Sequence, residues 1–261
     1  MNKLMTSQST DRTLFVWLLL AGLLGTLVGV PFSIAVLDDP AAGGPVNPQR
    51  IWLGAVIEAL FLLAPASAVG VWVGKKTGLG PRLLRELVSR APGSLDRVRS
   101  ILIPSIAISL AIAVPGLVGQ SSLPEGALGP GLANPTSAEW FLRSLSAALT
   151  EEIAFRLGLM TLFVWVIHSV LRKPAFERPS LWAGNTLAAL VFAGAHLPHV
   201  LSFGTPHWSV VILIVLFNSF GGVAMGWLYM RYGLISAILA HFVADVTAYV
   251  IPSTLAAVTG S

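Results

Sequence analysis

The chain has 261 residues, of which 55% are hydrophobic and only 11% are charged, and its mean hydropathy is +0.79. A soluble domain carries roughly 25% charged residues, so this composition excludes an ordinary soluble protein and indicates one embedded in a lipid bilayer. The net charge of +4 comes without a Lys/Arg stripe interleaved with aromatics, which excludes a nucleic-acid surface, and the absence of cysteine excludes disulfides and thiolate chemistry.

Seven apolar segments follow one another along the chain, and most approach the roughly 20 residues that a membrane-spanning helix needs. The first has too long an apolar run for a signal peptide and no clear cleavage site, so we expect a retained helix. The fourth is long for one crossing, so we expect it to project or bend. The sequence therefore predicts an all-α, polytopic transmembrane helix bundle of about seven spans. The segments are 13–37, 51–74, 101–119, 140–171, 181–197, 208–230 and 233–251.

Basic residues are concentrated in the loops at one end of this predicted bundle, whereas the opposite loops contain only Arg50. Because cytoplasmic loops are enriched in Lys and Arg, seven spans predict a cytoplasmic N-terminus in a multi-pass protein of the plasma membrane. The loop of residues 75–100 is either a plain connector or a short amphipathic helix at the interface. The basic residues at this end are Lys3, Arg12, Lys75, Lys76, Arg82, Arg85, Arg90, Arg97, Arg99, Arg172, Lys173, Arg178 and Arg231.

Ionisable residues inside three of the apolar segments are candidates for function, since each costs about 2.5–3.5 kcal/mol at the centre of a membrane helix. Glu152 and Arg156 are four residues apart, share a helix face and are predicted to form a structural ion pair. Glu151 is rotated by about 100° from Glu152, so it faces another neighbour and is the candidate general base. The motifs are "EEIAFR" (Glu151, Glu152, Arg156), "FAGAH" (Phe192, His196) and "HFVAD" (His241, Asp245).

Two kinds of hydrolytic chemistry fit Glu151, His196, His241 and Asp245 if they converge inside the bundle. Glu151 takes a proton from a water that attacks a peptide carbonyl, while histidines donate hydrogen bonds to the oxyanion. Alternatively, the same four residues bind a divalent metal such as zinc, which activates the water. The H-E-x-x-H and G-x-S-x-G motifs of zinc proteases and serine hydrolases are absent.

Other residues within the segments have two interpretations each. Glu58 is either protonated or paired with Arg143, and Asn218 is either an interhelical hydrogen-bonding residue or part of a site. Gly222 and Gly226 have the spacing of closely packed helices.

The three motifs in this order resemble the CAAX protease and bacteriocin-processing family, also called the Abi family. Its pattern is E-E-x-x-x-R, F-x-x-x-H and H-x-x-x-N or H-x-x-x-D, and the run of residues 226–245 resembles its final block. The resemblance implies a catalytic core at residues 138–251. It would follow N-terminal transmembrane helices with a basic cytoplasmic loop, residues 1–137, and precede a short tail, residues 252–261.

The resemblance implies an intramembrane endopeptidase that acts on a peptide or protein substrate at the membrane. It assigns Glu151 as the base, His196 as its partner and His241 as the oxyanion donor, with Glu152, Arg156 and Phe192 in support. Eukaryotic-type CAAX proteases have Asn at the last motif position, where this chain has Asp245, the form that occurs on the bacterial side of the family. An ionised Asp245 cannot donate to an oxyanion, so it orients His241, stays protonated or ligates a metal.

Two alternative functions remain open at this point. One is a non-proteolytic membrane scaffold or bacteriocin-immunity protein on the same fold, and the other is a transporter or proton relay. The depth of the site in the membrane is a further question. The helical rise places Glu151 and His196 in the outer half of the membrane, whereas the active sites of CAAX proteases open towards the cytosol.

Overall fold

The structure, a computed structural model, describes residues 2–37, 47–121, 135–171, 177–202 and 207–259. These residues form nine helices and no strand, which confirms the all-α prediction. Arg172 and Lys173, part of the predicted basic loops, lie outside the described residues. The helices are α1 (Asn2–Leu37), α2 (Pro48–Thr77), α3 (Arg82–Val88), α4 (Ser94–Ser121), α5 (Ser137–Leu171), α6 (Glu177–Ala195), α7 (Leu197–Ser202), α8 (Trp208–Tyr232) and α9 (Leu234–Thr259).

Six of these helices, namely α1, α2, α4, α5, α8 and α9, are long and apolar enough to cross a membrane. The chain is therefore an integral multi-pass membrane protein. Helix α6 has 19 residues, a length of about 28 Å at 1.5 Å per residue, and it packs along α5 and α8. Six apolar spans and α6 together agree with the prediction of about seven spans.

Helix α5 is the long fourth segment, and it begins at a well-defined cap. The Thr136 hydroxyl accepts a hydrogen bond from the backbone N–H of Glu139, whose carboxylate in turn accepts one from the Thr136 N–H. This reciprocal arrangement satisfies two backbone donors that a helix start leaves free. The helix then continues for 35 residues, so its cap lies at one end of the bundle and its last turn at the other.

Three helices contain π-helical stretches, which widen the backbone to i→i+5 hydrogen bonding and often occur at functional sites. In α5 the stretch is Glu152–Met160, and it begins at the residue after Glu151. In α9 it is Val246–Val250 and begins at the residue after Asp245. Helix α2 contains two, at Ala59–Leu63 and Val69–Val73. The irregular backbone of α5 and α9 therefore adjoins two of the predicted site residues.

The core is centred on α5, whose Ile153, Leu157 and Met160 are fully buried. Small residues allow its neighbours to approach closely. A Cβ added at Gly222 of α8 would lie 2.9 Å from the Cα of Ala189 on α6. This contact confirms the predicted close packing and holds α6 and α8 as one unit beside α5.

The basic end of the bundle is held together by ion pairs around Asp11 of α1, which is buried. Arg85 Nη1 lies 2.7 Å from Asp11 Oδ1, and Lys75 pairs with the other carboxylate oxygen. The sequence of residues 75–100 allows either a plain connector or a short amphipathic helix, and the structure contains a helix there, α3. This helix buries Leu83 and leaves Arg82 exposed.

The predicted division of the chain remains a prediction. Residue 137 is the first residue of α5. Residues 252–259 of the predicted tail continue α9 as helix, and residues 260–261 lie outside the described residues.

Candidate active site

The predicted site residues lie on α5, on α6 and the residue that follows it, and on α9, and α5 packs against both α6 and α9. Glu151 and Asp245 are each 19% exposed at the side chain, and His241 is 11% exposed. The structure therefore brings these three side chains together in the bundle interior, where water has limited access. Glu151 comes from α5, whereas His241 and Asp245 share a face of α9, one turn apart.

Glu152 is the fully buried centre of a three-residue network. Its Oε2 lies 3.2 Å from Arg156 Nε, so the predicted ion pair is present. Its Oε1 lies 2.8 Å from His241 Nδ1, a contact that the sequence did not predict. A proton on Nδ1 donates to the carboxylate and fixes the orientation of the ring. The other ring nitrogen, Nε2, then points towards the remaining site carboxylates.

Glu151 lies outside the Glu152–Arg156 ion pair, as its rotation on the helix predicted, but it approaches the same imidazole, His241, from the Nε2 side. Its Oε1 accepts a hydrogen bond from Arg143 Nη2 at 3.0 Å, and its Oε2 lies 3.8 Å from His241 Nε2. This contact differs from the Arg143–Glu58 pair, one of the two interpretations of Glu58 that the sequence allows. Glu58 is exposed and lies close enough to both Arg143 and Glu151 to interact with them electrostatically. The spacing of eight residues, about two helical turns, was the available signal for the Arg143–Glu151 pair.

Asp245 Oδ1 also lies 3.8 Å from His241 Nε2. His241 Nε2 therefore faces two carboxylate oxygens at the same separation, one from Glu151 and one from Asp245. Both separations are longer than a hydrogen bond and within the range that a bridging water spans. The arrangement can hold a small proton-bearing group between one imidazole nitrogen and two carboxylates.

Phe192 separates the His196 ring from the rest of the site. Its ring centroid lies 4.7 Å from that of His196 and 6.3 Å from that of His241, and the Arg156 guanidinium carbon is 4.6 Å above it. His196 follows the last residue of α6, and its Nδ1 hydrogen-bonds the Phe192 carbonyl at 2.8 Å. His196 is near enough to Glu151 for electrostatic interaction. Within the described residues, however, it makes no direct hydrogen bond or ion pair there.

A cavity of about 300 Å³ adjoins His241 and Asp245. Arg156 also lines it, and the Nη1 group of this buried guanidinium has no hydrogen-bond partner among the described residues. Asn218 lines the cavity too, with Nδ2 donating to the Ile214 carbonyl at 2.8 Å. The remaining lining is mostly apolar and comes from α4, α8 and α9. It includes Ile112, Ala113, Gly116, Leu117, Gly119, Leu213, Phe217, Gly221, Met225, Ala244, Ala248 and Tyr249.

The residues do not form a ready-made metal centre. A catalytic zinc ion takes three protein ligands and a water. In the described part of the chain, no group of three or more His, Asp or Glu side chains is arranged to hold a metal. His241 Nδ1 is already bonded to Glu152, and His196 Nδ1 is bonded to a backbone carbonyl. Zinc binding by Glu151, His196, His241 and Asp245 stays a prediction.

Comparison with known proteins finds a protein-family model that matches the part of the chain containing most of this site. Residues 133–247 match the family model described as type II CAAX prenyl endopeptidase Rce1-like. The matched segment contains all three motifs and every residue of the site described above except Glu58 and the lining contributed by α4, Ala248 and Tyr249. No curated protein and no solved structure matches the chain.

Proposed function

Since residues 133–247 match the family model of type II CAAX prenyl endopeptidase Rce1-like proteins, we propose that this protein is an intramembrane endopeptidase using glutamate-activated water. One observation carries the proposal: a carboxylate oxygen of Glu151 and one of Asp245 both lie 3.8 Å from the same imidazole nitrogen of His241. A carboxylate beside an imidazole, with an adjoining cavity, is an arrangement suited to general-base hydrolysis.

In the proposed reaction, Glu151 removes a proton from a water whose oxygen attacks the carbonyl carbon of the scissile peptide bond. The Arg143 hydrogen bond to Oε1 leaves Oε2 as the oxygen that faces His241 and takes the proton. The attack gives a tetrahedral oxyanion. Its collapse breaks the C–N bond, and Glu151 returns the proton to the leaving amine. The products are a carboxylic acid and an amine, which ionise to carboxylate and ammonium at neutral pH, and the base is restored.

Two donors are available for the oxyanion. With both ring nitrogens protonated, His241 donates from Nδ1 to Glu152 and presents Nε2–H to the substrate. Arg156 is the second candidate, because its side chain lines the cavity and its buried Nη1 has no hydrogen-bond partner in the described structure. Donors that are already oriented stabilise developing charge without reorganisation. In this proposal Arg156 forms the ion pair with Glu152 and also donates a hydrogen bond to the oxyanion in the cavity.

Asp245 and His196 have the supporting roles in this proposal. Asp245 accepts a hydrogen bond from the water or from His241 Nε2. The bond to His241 keeps the imidazole ring directed at the cavity. Asp245 does not act as an oxyanion donor. His196 lies beside Phe192 at the edge of the site and assists Glu151 electrostatically. Direct contact between His196 and Glu151 would require the His196 ring to move when substrate binds.

The cavity suggests the route of the substrate. Its lining reaches Gly119 near the end of α4 and Leu213 near the start of α8. Both positions point to the end of the bundle opposite the basic residues. If the N-terminus is cytoplasmic, the site receives an apolar substrate segment from the outer half of the bilayer. This differs from the cytosolic opening that the family resemblance implied.

The test is cleavage of a peptide library, including prenylated CAAX peptides, by the purified protein with and without a chelator. We expect Glu151→Gln and His196→Ala to abolish cleavage while the protein keeps its elution volume and thermal midpoint. Glu139→Gln is the matched control on the same helix, since Gln also supports the cap at Thr136. Loss of cleavage on chelation would restore the zinc mechanism.

Wild-type-like cleavage by Glu151→Gln would overturn the proposal. No cleavage by the wild type, together with unchanged function of Glu151→Gln in cells, would favour the scaffold or immunity alternative. Proton-driven flux without a peptide product would favour the transporter.

A further inference from the structure

A second cavity, of about 350 Å³, lies at the basic end of the bundle and shares no lining residue with the first. It is enclosed by the turn between α2 and α3, by α3, by the first turns of α4 and by the corner between α8 and α9. Most of its lining precedes the segment matched by the family model. Its polar lining includes Arg82, Glu86, Arg97, Ser100, Arg231 and Tyr232.

The wall of this cavity is fixed by hydrogen bonds between distant parts of the chain. The backbone N–H of Gly80 donates to the Tyr229 hydroxyl at 2.8 Å, and that hydroxyl also bonds Thr161 Oγ1 at 2.9 Å. Gly80 has φ +104, and a Cβ there would lie 2.9 Å from the Gly70 carbonyl oxygen. The turn therefore requires glycine, and it is tied to the last turn of α8 and, through Tyr229, to Thr161 of α5.

The cavity carries an excess of positive charge. Three arginines line it, and its single carboxylate, Glu86, pairs with Arg97. Arg82 donates to the Gly78 carbonyl, and the Arg231 guanidinium lies 5.4 Å from the centre of the Tyr232 ring. Neither Arg82 nor Arg231 has a carboxylate partner in the described part of the structure. Two guanidinium groups are therefore available for an anion from outside the chain.

We propose that this cavity binds a phosphate group at the membrane surface, either in an anionic lipid headgroup or in a small phosphate compound. Guanidinium groups match phosphate oxygens with paired hydrogen bonds, and Ser100 and Tyr232 add hydroxyl groups to the same lining. Basic pockets between transmembrane helices on the cytoplasmic side suit anionic headgroups. Leu83 and Ile101, both buried, place apolar surface next to the charges.

The test uses the full-length protein in mixed micelles with equal amounts of phosphatidylglycerol and phosphatidylcholine, and native mass spectrometry counts the retained lipid. We expect wild type to retain phosphatidylglycerol preferentially and Arg82→Gln/Arg231→Gln to bind it about 10-fold more weakly. The control Arg12→Gln/Arg99→Gln removes two exposed charges from the same end of the bundle outside the cavity. Arg231→Gln alone, at an exposed side chain, preserves the test if the double variant does not fold.

Inorganic phosphate and glycerol 3-phosphate separate the two sources of the ligand. A rise in the thermal midpoint with either compound, lost in Arg82→Gln/Arg231→Gln, would identify a soluble phosphate ligand. A response to phosphatidylglycerol alone would identify a lipid headgroup. Equal losses in the cavity variant and the control variant would overturn the proposal, and so would the absence of any wild-type response to all three phosphate probes.

Discussion

Arg143 donates a hydrogen bond of 3.0 Å to Glu151 from two turns earlier on the same helix. Both side chains are partly buried, with exposures of 35% and 19%. The contact engages one oxygen of the Glu151 carboxylate, so the other is directed towards His241. Arg143 is outside the three motifs, yet it sets the orientation of the group proposed as the base.

Replacing Arg143 with glutamine is expected to lower kcat by about 10²-fold, because small displacements of a catalytic group have effects of that size. KM should change much less, since Arg143 does not line the cavity. The measurement is steady-state cleavage of whichever library peptide the wild type cuts. Arg143→Lys keeps the charge and should recover part of kcat. An Arg143→Gln enzyme with wild-type kcat would show that Glu151 is oriented without it.

The Glu152–Arg156 pair makes a prediction about stability. Glu152→Gln leaves the buried Arg156 guanidinium without a carboxylate, which is expected to cost about 3–5 kcal/mol. Glu152→Gln/Arg156→Met removes both charges and should recover most of that loss, since apolar replacement of a buried pair is often neutral. Unfolding of four proteins in detergent, namely the wild type, Glu152→Gln, Arg156→Met and the double variant, measures this coupling. Additive losses in the double variant would mean that the pair is not coupled.

Hydrophobic segment lengths predicted the span architecture, because a chain in lipid must form helices of bilayer length. The i,i+4 rule predicted the Glu152–Arg156 pair and the shared face of His241 and Asp245, since those relationships lie within one helix. These contacts depend only on local geometry, and the structure has them as expected.

Relationships between helices were not accessible in this way. The Glu152–His241 hydrogen bond depends on how α5 packs against α9, and the π-helical stretch after Glu151 changes the angular spacing that a regular helix would give. The cavity similarly depends on the gap between α4 and α8. A pair with Arg143 was one of the two interpretations of Glu58, and only the tertiary structure shows that Arg143 bonds to Glu151.

Gly222 provides a test of helix packing. A Cβ at this position would lie 2.8 Å from the Ala189 Cβ and 2.9 Å from its Cα, and the latter cannot rotate away. Gly222→Ala should therefore lower the thermal midpoint and separate α8 from α6. Gly54→Ala is the matched control, since nothing lies within 4 Å of its added Cβ, and Ala in a helix is favoured by up to about 1 kcal/mol. Equal midpoints for the two variants would contradict the close approach.

The number of membrane crossings can be decided by cysteine labelling, because the chain has no native cysteine. Asp96 at the basic end and Ala257 near the end of α9 are both exposed positions. With α6 as a seventh span they lie on opposite sides of the membrane, whereas with six spans they lie on the same side. We expect a membrane-impermeant maleimide to label Ala257→Cys in intact cells, and Asp96→Cys only after permeabilisation, since basic loops face the cytoplasm. If neither site is labelled before permeabilisation, α6 does not cross the membrane. If Asp96→Cys alone is labelled, the bundle has the opposite orientation and the catalytic cavity opens towards the cytosol.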